Sequence, residues 1–195
     1  MAARLESAGA AVEVIEAEDG GKANLWARRG PDRAGGVLLS GHSDVVPVAD
    51  QDWTSDPFVL RAEDGLLFGR GTCDMKGFIA AALTLAERVD AACLARPLWF
   101  CFTHDEEVGC LGARSLVEVL KDRPVLPSMA LIGEPTGMRI IEGHKGCCEY
   151  TTRFTGCAGH GSQPDTGVNA VSYAVRYVTR LLALAEELKG RATGE

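Results

Sequence analysis

The chain has 195 residues, of which 46% are hydrophobic and 24% are charged, and its formal net charge is -7. This length and composition allow a buried core, which excludes a disordered chain. The sequence has no basic run and no stretch of about 18 consecutive apolar residues, so we expect a small-molecule partner and neither nucleic acid nor a membrane.

The first 133 residues alternate between strand and helix patterns. In chain order, they predict the tail of a helix at 5–11, strands at 11–17, 23–29 and 36–42, a hairpin at 58–70, a helix at 75–89, a strand at 97–103, a helix at 110–121 and a strand at 128–133. Alternating apolar and acidic residues make 11–17 typical of an edge strand, whereas 36–42 is apolar enough for burial on both faces. The hairpin is expected to turn at Asp64 and Gly65.

This alternation predicts an α/β fold with a mostly parallel sheet that helices cover on both faces. Ligands of such sheets bind at the carboxyl ends of the strands. The pattern changes after Gly143, where 144–156 predicts a longer strand, followed by a glycine-rich loop and a helix at 168–189. We therefore predict two domains, 1–143 and 144–195, and the second is incomplete because one strand and one helix cannot close a domain.

Candidate metal ligands follow the predicted strands. In SGHSDVVP, the period of two puts His42 and Asp44 on one side, where the carboxylate can orient a metal-bound imidazole. A loop histidine beside a capping aspartate is the alternative. Asp74 begins a helix after two glycines and is suited either to bridging two cations or to capping the helix.

The segment THDEEVG places His104, Asp105, Glu106 and Glu107 together after a buried strand. Such a cluster of acids is costly unless cations compensate it, and the alternative is a solvated acidic loop. Glu134 directly follows the last predicted strand. All these positions fall on one rim of the predicted sheet, and capping alone does not explain that coincidence.

The seven cysteines are odd in number, and none forms a C-x-x-C pair. The first twenty residues lack a basic region followed by an apolar run, so we expect reduced thiols in a cytoplasmic protein. Cys73 is interpreted as a packing residue, because carboxylate-rich sites need no soft ligand and helix starts bury cysteine readily. His144, Cys147 and Cys148 are interpreted in the same way.

Five segments together resemble one family, the co-catalytic zinc hydrolases that include acetylornithine deacetylase, succinyl-diaminopimelate desuccinylase, aminoacylase and glutamate carboxypeptidase. The segments are SGHSDVVPV, GRGTCDMKGF, DEEVGCLGA, IGEPT and GCAGHGSQPDTGVNA. The resemblance extends from about residue 23 to residue 189. It implies that 1–143 is a metal-binding catalytic domain and that 144–195 begins a smaller α+β lid and dimerisation domain.

The resemblance also implies roles for single residues. His42, Asp74 and Glu134 would hold one Zn²⁺, Asp74 would bridge to a second, and Glu107 would bind that second ion. Co²⁺ and Mn²⁺ are alternatives to zinc. Asp44 would orient His42.

Two further residues receive catalytic roles from the resemblance. Glu106 would act as the general base that takes a proton from water and passes it to the leaving nitrogen. His160 would reach the active site of a partner subunit in a homodimer and help to stabilise the tetrahedral oxyanion. A plain loop histidine is the alternative for His160.

GTCDMKGF, GEPTGM and the HKG at 144–146 resemble the acetylornithine deacetylase branch most. This branch implies hydrolysis of N-acetyl-L-ornithine to L-ornithine and acetate, in arginine biosynthesis. The alternatives are a desuccinylase or dipeptidase of the same family, or a non-catalytic remnant or binding protein. The family also has a further histidine ligand after the second domain and more helix at the start, so we expect a chain truncated at both ends.

Overall fold

The computed structural model describes residues 1–18, 20–143, 146 and 148–191. These residues divide into two compact units, Met1–Ile141 and Glu142–Glu195. The boundary lies at the end of the segment that follows the last strand. That these units are the two predicted domains remains a prediction.

The first unit contains three α-helices and seven strands among its described residues. They are α1 (Ala2–Ser7), β1 (Ala11–Glu16), β2 (Ala23–Arg29), β3 (Val37–His42), β4 (Arg61–Glu63), β5 (Leu66–Phe68), α2 (Gly77–Arg88), β6 (Leu98–Thr103), α3 (Leu111–Leu120) and β7 (Met129–Ile132). Strands β4 and β5 form the predicted hairpin, and Asp64 and Gly65 at its turn both have positive φ, as a two-residue hairpin turn requires.

The other five strands form one sheet in the order β1-β2-β6-β3-β7. Strand β3 is parallel to β6 and β7, whereas β2 is antiparallel to β1 and β6. The α/β class is confirmed, but the sheet is mixed rather than mostly parallel. The connection of 17–22 between β1 and β2 is too short for a crossover, so this pair has to be antiparallel.

Strand β6 is the centre of the core. Phe100 and Phe102 pack with Leu5 and Leu83 against α1 and α2, while Trp99 on the opposite face packs with Trp26 and Leu116 of α3. Each of these side chains is at most 7% exposed. Burying one such apolar side chain contributes about 1.5–3 kcal/mol. Strand β3 pairs with this well-buried strand along its whole length, from Val37 to His42.

The two edges of the sheet differ. Strand β1 lies at one edge, as its alternating pattern predicted. Strand β7 lies at the other, and all four of its residues are exposed. No helix among the described residues is long and apolar enough to cross a membrane.

In the second unit, the predicted helix is present as α4 (Ala170–Arg191). The predicted strand at 144–156 is wrong for its described part, since residue 146 and residues 148–156 form no strand. A strand needs a neighbour to accept its backbone hydrogen bonds, and in this unit the described residues offer only the isolated bridge between Cys157 and Val168. His144, Lys145 and Cys147 lie outside the described residues.

Candidate metal centre

Three neighbouring parallel strands bring the candidate ligands to one rim of the sheet. Strand β3 ends at His42, β6 ends just before the acidic loop of 104–109, and β7 ends two residues before Glu134. Because β6, β3 and β7 are adjacent and parallel, their carboxyl ends lie side by side. The sheet register therefore assembles a site from segments that are far apart in the sequence.

His42 lies at the centre of this site and is 2% exposed. Its Nδ1 lies 3.0 Å from the backbone oxygen of Asp44, which only accepts, so Nδ1 carries a proton and donates it. Its Nε2 lies 3.0 Å from Asp74 Oδ1, 3.9 Å from Glu134 Oε1 and 4.0 Å from Glu106 Oε2. One imidazole nitrogen thus faces three carboxylates.

Burial alone lowers the pKa of His42, but the hydrogen bond to Asp74 and the field of the other carboxylates outweigh burial and raise it. A proton on Nε2 therefore offsets part of the negative charge of the rim. A metal cation in the same position would supply more positive charge and would bind the nitrogen in its neutral form.

Asp44 connects two loops of the site. Its Oδ2 accepts a hydrogen bond from the backbone N–H of Glu107 at 3.0 Å. Its Oδ1 lies 3.5 Å from His42 Nδ1 and is buried without a hydrogen-bond partner among the described residues. The backbone oxygen of Asp44 thus orients His42, a role that the sequence predicted for the carboxylate. The carboxylate instead holds the start of the segment that carries Glu107.

Asp74 is presented by the tight segment Thr72–Lys76 ahead of α2. Gly71 before it has φ of 84°, and a Cβ there would lie 2.7 Å from Val45 Cγ1, so the close approach requires glycine. Asp74 itself has extended backbone angles and makes no capping contact to the helix. The capping alternative for Asp74 therefore has no support in the structure.

The carboxylates of the rim repel one another. Burial, and then the charge of Asp74, raise the pKa of Glu107, and the same two causes in the same order raise the pKa of Glu134. Carboxyl groups held in this way are stabilised by any bound cation.

Two groups of side chains have the geometry of a metal site within the described part of the chain. One is His42, Asp74 and Glu134, and the other is His42, Glu106 and Glu107. In each group, one ligand atom per residue lies within 4.8 Å of the others. One imidazole nitrogen with several carboxylate oxygens is a donor set that suits Zn²⁺, so the residues present fit the metal. The sequence predicted that Asp74 and Glu107 would hold the second ion. In the second group, Glu107 lies instead with Glu106, the predicted base, and with His42.

His160 belongs to the second unit and is exposed. Its Nδ1 lies 2.8 Å from the hydroxyl oxygen of Ser162, in the glycine-rich loop that the bridge between Cys157 and Val168 closes. This geometry gives His160 a local hydrogen bond. Its predicted catalytic role stays a prediction.

Three residues differ from expectation. Cys73 and Cys148 are exposed, so their interpretation as packing residues is wrong. Cys73 lies in a segment whose backbone is not helical at Asp74 and Met75, and Cys148 lies in a stretch that forms no strand, so neither has a regular element to pack in. Asn24 is 1% exposed and hydrogen-bonded behind the acidic loop, and the sequence interpretation missed it. The available signal was an asparagine, which strands disfavour, near the start of the strand ANLWARR.

Comparison with known proteins identifies one family and several similar proteins. Residues 38–188 match the model of peptidase family M20/M25/M40. Acetylornithine deacetylase from Proteus mirabilis (strain HI4320) is 40% identical over 188 residues, which are 96% of this chain and 48% of the relative. The protein of the same name from Klebsiella pneumoniae (strain 342) is 44% identical over 170 residues, covering 87% of this chain and 43% of the relative.

Among solved structures, human carnosine dipeptidase 1 is 31% identical with a TM-score of 0.56, and the match covers 67% of this chain and 30% of that one. The chain therefore spans about half the length of the curated relatives that it matches.

Proposed function

The chain belongs to peptidase family M20/M25/M40, and on that premise we propose that it is the metal-binding part of an enzyme that hydrolyses the amide bond of an N-acyl amino acid. The observation that carries the proposal is the single imidazole nitrogen of His42 within 4.0 Å of three carboxylates. The substrate that the relatives favour is N-acetyl-L-ornithine, since proteins named acetylornithine deacetylase are 40% and 44% identical to this chain.

In this proposal, the rim holds two Zn²⁺ ions, for which Co²⁺ or Mn²⁺ can substitute. His42, Asp74 and Glu134 would hold the first ion. Asp74 and Glu107 would hold the second. Bound zinc lowers the pKa of water and polarises the scissile carbonyl. The raised pKa values of Glu107 and Glu134 support the proposal, because a site built for cations brings acids closer than they would lie alone.

The other residues act on protons and orientation. Glu106, whose side chain is 38% exposed, accepts a proton from the attacking water and delivers it to the leaving nitrogen. Asp44 keeps the His42 ring in the tautomer whose Nε2 is available to a metal. His160 of a second copy stabilises the oxyanion in a homodimer that forms through the second unit. We place the protein in the cytoplasm, on the pattern of its cysteines.

A dipeptidase is the second candidate, favoured by the 31% identity to human carnosine dipeptidase 1. A desuccinylase of the same family would use the same metals and base. A non-catalytic binding protein is disfavoured, since such a protein gains nothing from a carboxylate base beside a metal site.

The test is to purify residues 1–195, measure zinc per chain, and assay N-acetylornithine, N-succinyl-diaminopimelate and a dipeptide, with Glu106→Gln as the matched variant. Zinc uptake with acetate release that Glu106→Gln abolishes is the expected result. Faster hydrolysis of the dipeptide would favour the second candidate. Zinc uptake without turnover would support a metal-binding protein only, and absence of zinc would overturn the proposal.

A further inference from the structure

Strand β2 carries one buried polar side chain, Asn24, directly behind the acidic loop. Asn24 is 1% exposed and precedes Leu25, which pairs with Phe102 near the end of β6. The antiparallel register therefore places Asn24 where the chain leaves β6 for Glu106 and Glu107. A buried amide at this point has to find all its partners within the protein.

Those partners lie at the first residue of the acidic loop and in α3, which follows the loop. Asn24 Nδ2 donates to the backbone oxygen of Gly112 at 2.9 Å and to Ser115 Oγ at 3.2 Å. Asn24 Oδ1 accepts from the backbone N–H of His104 at 3.4 Å. One side chain thus joins the first residue of the loop to the first turn of α3.

The loop closes tightly around this contact. The N–H of Gly112 donates to the oxygen of His104 at 3.1 Å, and the N–H of Leu111 donates to that of Asp105 at 3.0 Å. A Cβ on Gly112 would lie 2.3 Å from the His104 oxygen and 2.7 Å from Asn24 Oδ1, so only glycine permits the closure. The amide of Asn24 fills the space that this glycine leaves.

We propose that Asn24 is the positioning residue of the acidic loop, which sets the carboxylates of Glu106 and Glu107 relative to His42. Asn24 holds the loop on one side. On the other side the Asp44 carboxylate accepts the Glu107 N–H at 3.0 Å, and the backbone oxygen of Asp44 orients His42. The roles of Glu106 and Glu107 rest on the proposed function, whereas the placement of the loop rests on the contacts of Asn24.

The first test is amide hydrogen exchange on the metal-free chain. In Asn24→Ala, we expect the amides of Glu107, Leu111 and Gly112 to exchange about tenfold faster, because the local opening of the loop loses its buried hydrogen bonds. Amides in the centre of β6 should keep their rates. Equal acceleration throughout the sheet, or unchanged loop rates, would overturn the proposal.

Two further variants keep this test decisive. Ser115→Ala removes one partner of Asn24 without touching the loop, and its loop amides should exchange as in the parent chain. Asn24→Asp keeps the size and the acceptor for His104 but loses the donor to Gly112, so it should accelerate the loop amides if Asn24→Ala does not fold.

The second test is a titration with Co²⁺ alone, followed by visible absorption. We expect Asn24→Ala to weaken the binding of the ion that Glu107 holds by about 10–100-fold. The affinity for the ion at His42, Asp74 and Glu134 should stay unchanged. Equal weakening of both ions would contradict a positioning role. If the parent chain binds no Co²⁺, the proposed function fails, and hydrogen exchange alone still decides the role of Asn24.

Discussion

The two units hold their functional candidates by different means. In Met1–Ile141, His42 is 2% exposed and lies at the end of a strand that pairs along its whole length with the buried strand β6. Among the described residues of Glu142–Glu195, no side chain is buried, and His160 bonds to a residue two positions away. A metal site needs ligands that the scaffold fixes in advance. The first unit provides such a scaffold. The described residues of the second unit do not.

The largest expected difference between the two units is in how much a truncated side chain lowers the free energy of unfolding. Phe100→Ala removes a fully buried ring from the strand at the centre of the sheet and is expected to lower the free energy of unfolding by about 3–5 kcal/mol. Leu182→Ala, on α4 with Leu182 65% exposed, should change it by about 0.5 kcal/mol or less. Urea unfolding of both variants measures the difference. Similar losses would mean that the second unit has a core of its own.

The next effect is on metal affinity. His42→Ala removes the imidazole that both candidate ligand groups share and is expected to weaken zinc binding by about 100-fold or more, since even residues that only orient ligands contribute 10–100-fold. His160→Ala should leave the affinity unchanged. Competition with a chromophoric chelator measures both. A loss in His160→Ala equal to that in His42→Ala would contradict the assignment of the metal to the first unit.

Local patterns predicted most of the first unit. The turn at Asp64 and Gly65, the edge position of β1 and the burial of β6 all follow from residue types and short-range periodicity. The antiparallel pairing of β2 depends on which strand lies beside it, and the sequence does not encode that locally. The strand predicted at 144–156 fails for the same reason, because pairing needs a partner.

The candidate site shows the same division. The positions of His42, Asp74 and Glu134 after apolar segments indicated a common rim, and the structure brings the three side chains together. Their roles as ligands stay predictions. The one local signal for Asn24 was an asparagine within a strand, and its importance comes from contacts to residues 80–91 positions away, which the sequence does not show.

A smaller effect concerns the charge of the rim in the metal-free chain. Burial and the charge of Asp74 raise the folded-state pKa of Glu134 above its ordinary value of 4.5. The ionised carboxylate therefore destabilises the fold. This penalty is absent below pH 4.5, grows between pH 4.5 and the raised pKa, and is fully present above the raised pKa. Glu134→Gln should thus stabilise the metal-free chain at pH 7, by less than about 1 kcal/mol because the side chain is 39% exposed.

Urea unfolding in EDTA at pH 4 and pH 7 checks this sign, with Glu6→Gln on α1 as the matched control. The gain should disappear at the lower pH. With saturating zinc the sign should reverse, since glutamine is the poorer ligand. A loss of stability in EDTA at pH 7 would show that Glu134 is not under electrostatic strain.

The smallest effect has the opposite sign and lies far from the rim, on β1. Arg123 donates to both carboxylate oxygens of Glu13 at 2.7 and 2.8 Å, and this hydrogen-bonded pair lowers the pKa of Glu13 below its ordinary 4.5. The stability that the pair contributes is present above pH 4.5 and is lost as the pH falls through the lowered pKa. Glu13→Gln should therefore cost about 0.2–1 kcal/mol at pH 7, since both side chains are partly exposed.

The control for this pair is Glu16→Gln on the same strand, because Glu16 makes no ion pair within the described part of the chain. The loss in Glu13→Gln should shrink in 1 M salt, which shortens the screening length to about 3 Å, and at pH 3. We expect the change in the free energy of unfolding to depend on pH with opposite signs in Glu134→Gln and Glu13→Gln. That result would distinguish the rim carboxylates, which lack a cation, from Glu13, which Arg123 already neutralises. Identical pH dependence would mean that the rim carries no charge strain, and the electrostatic argument for a metal there would fail.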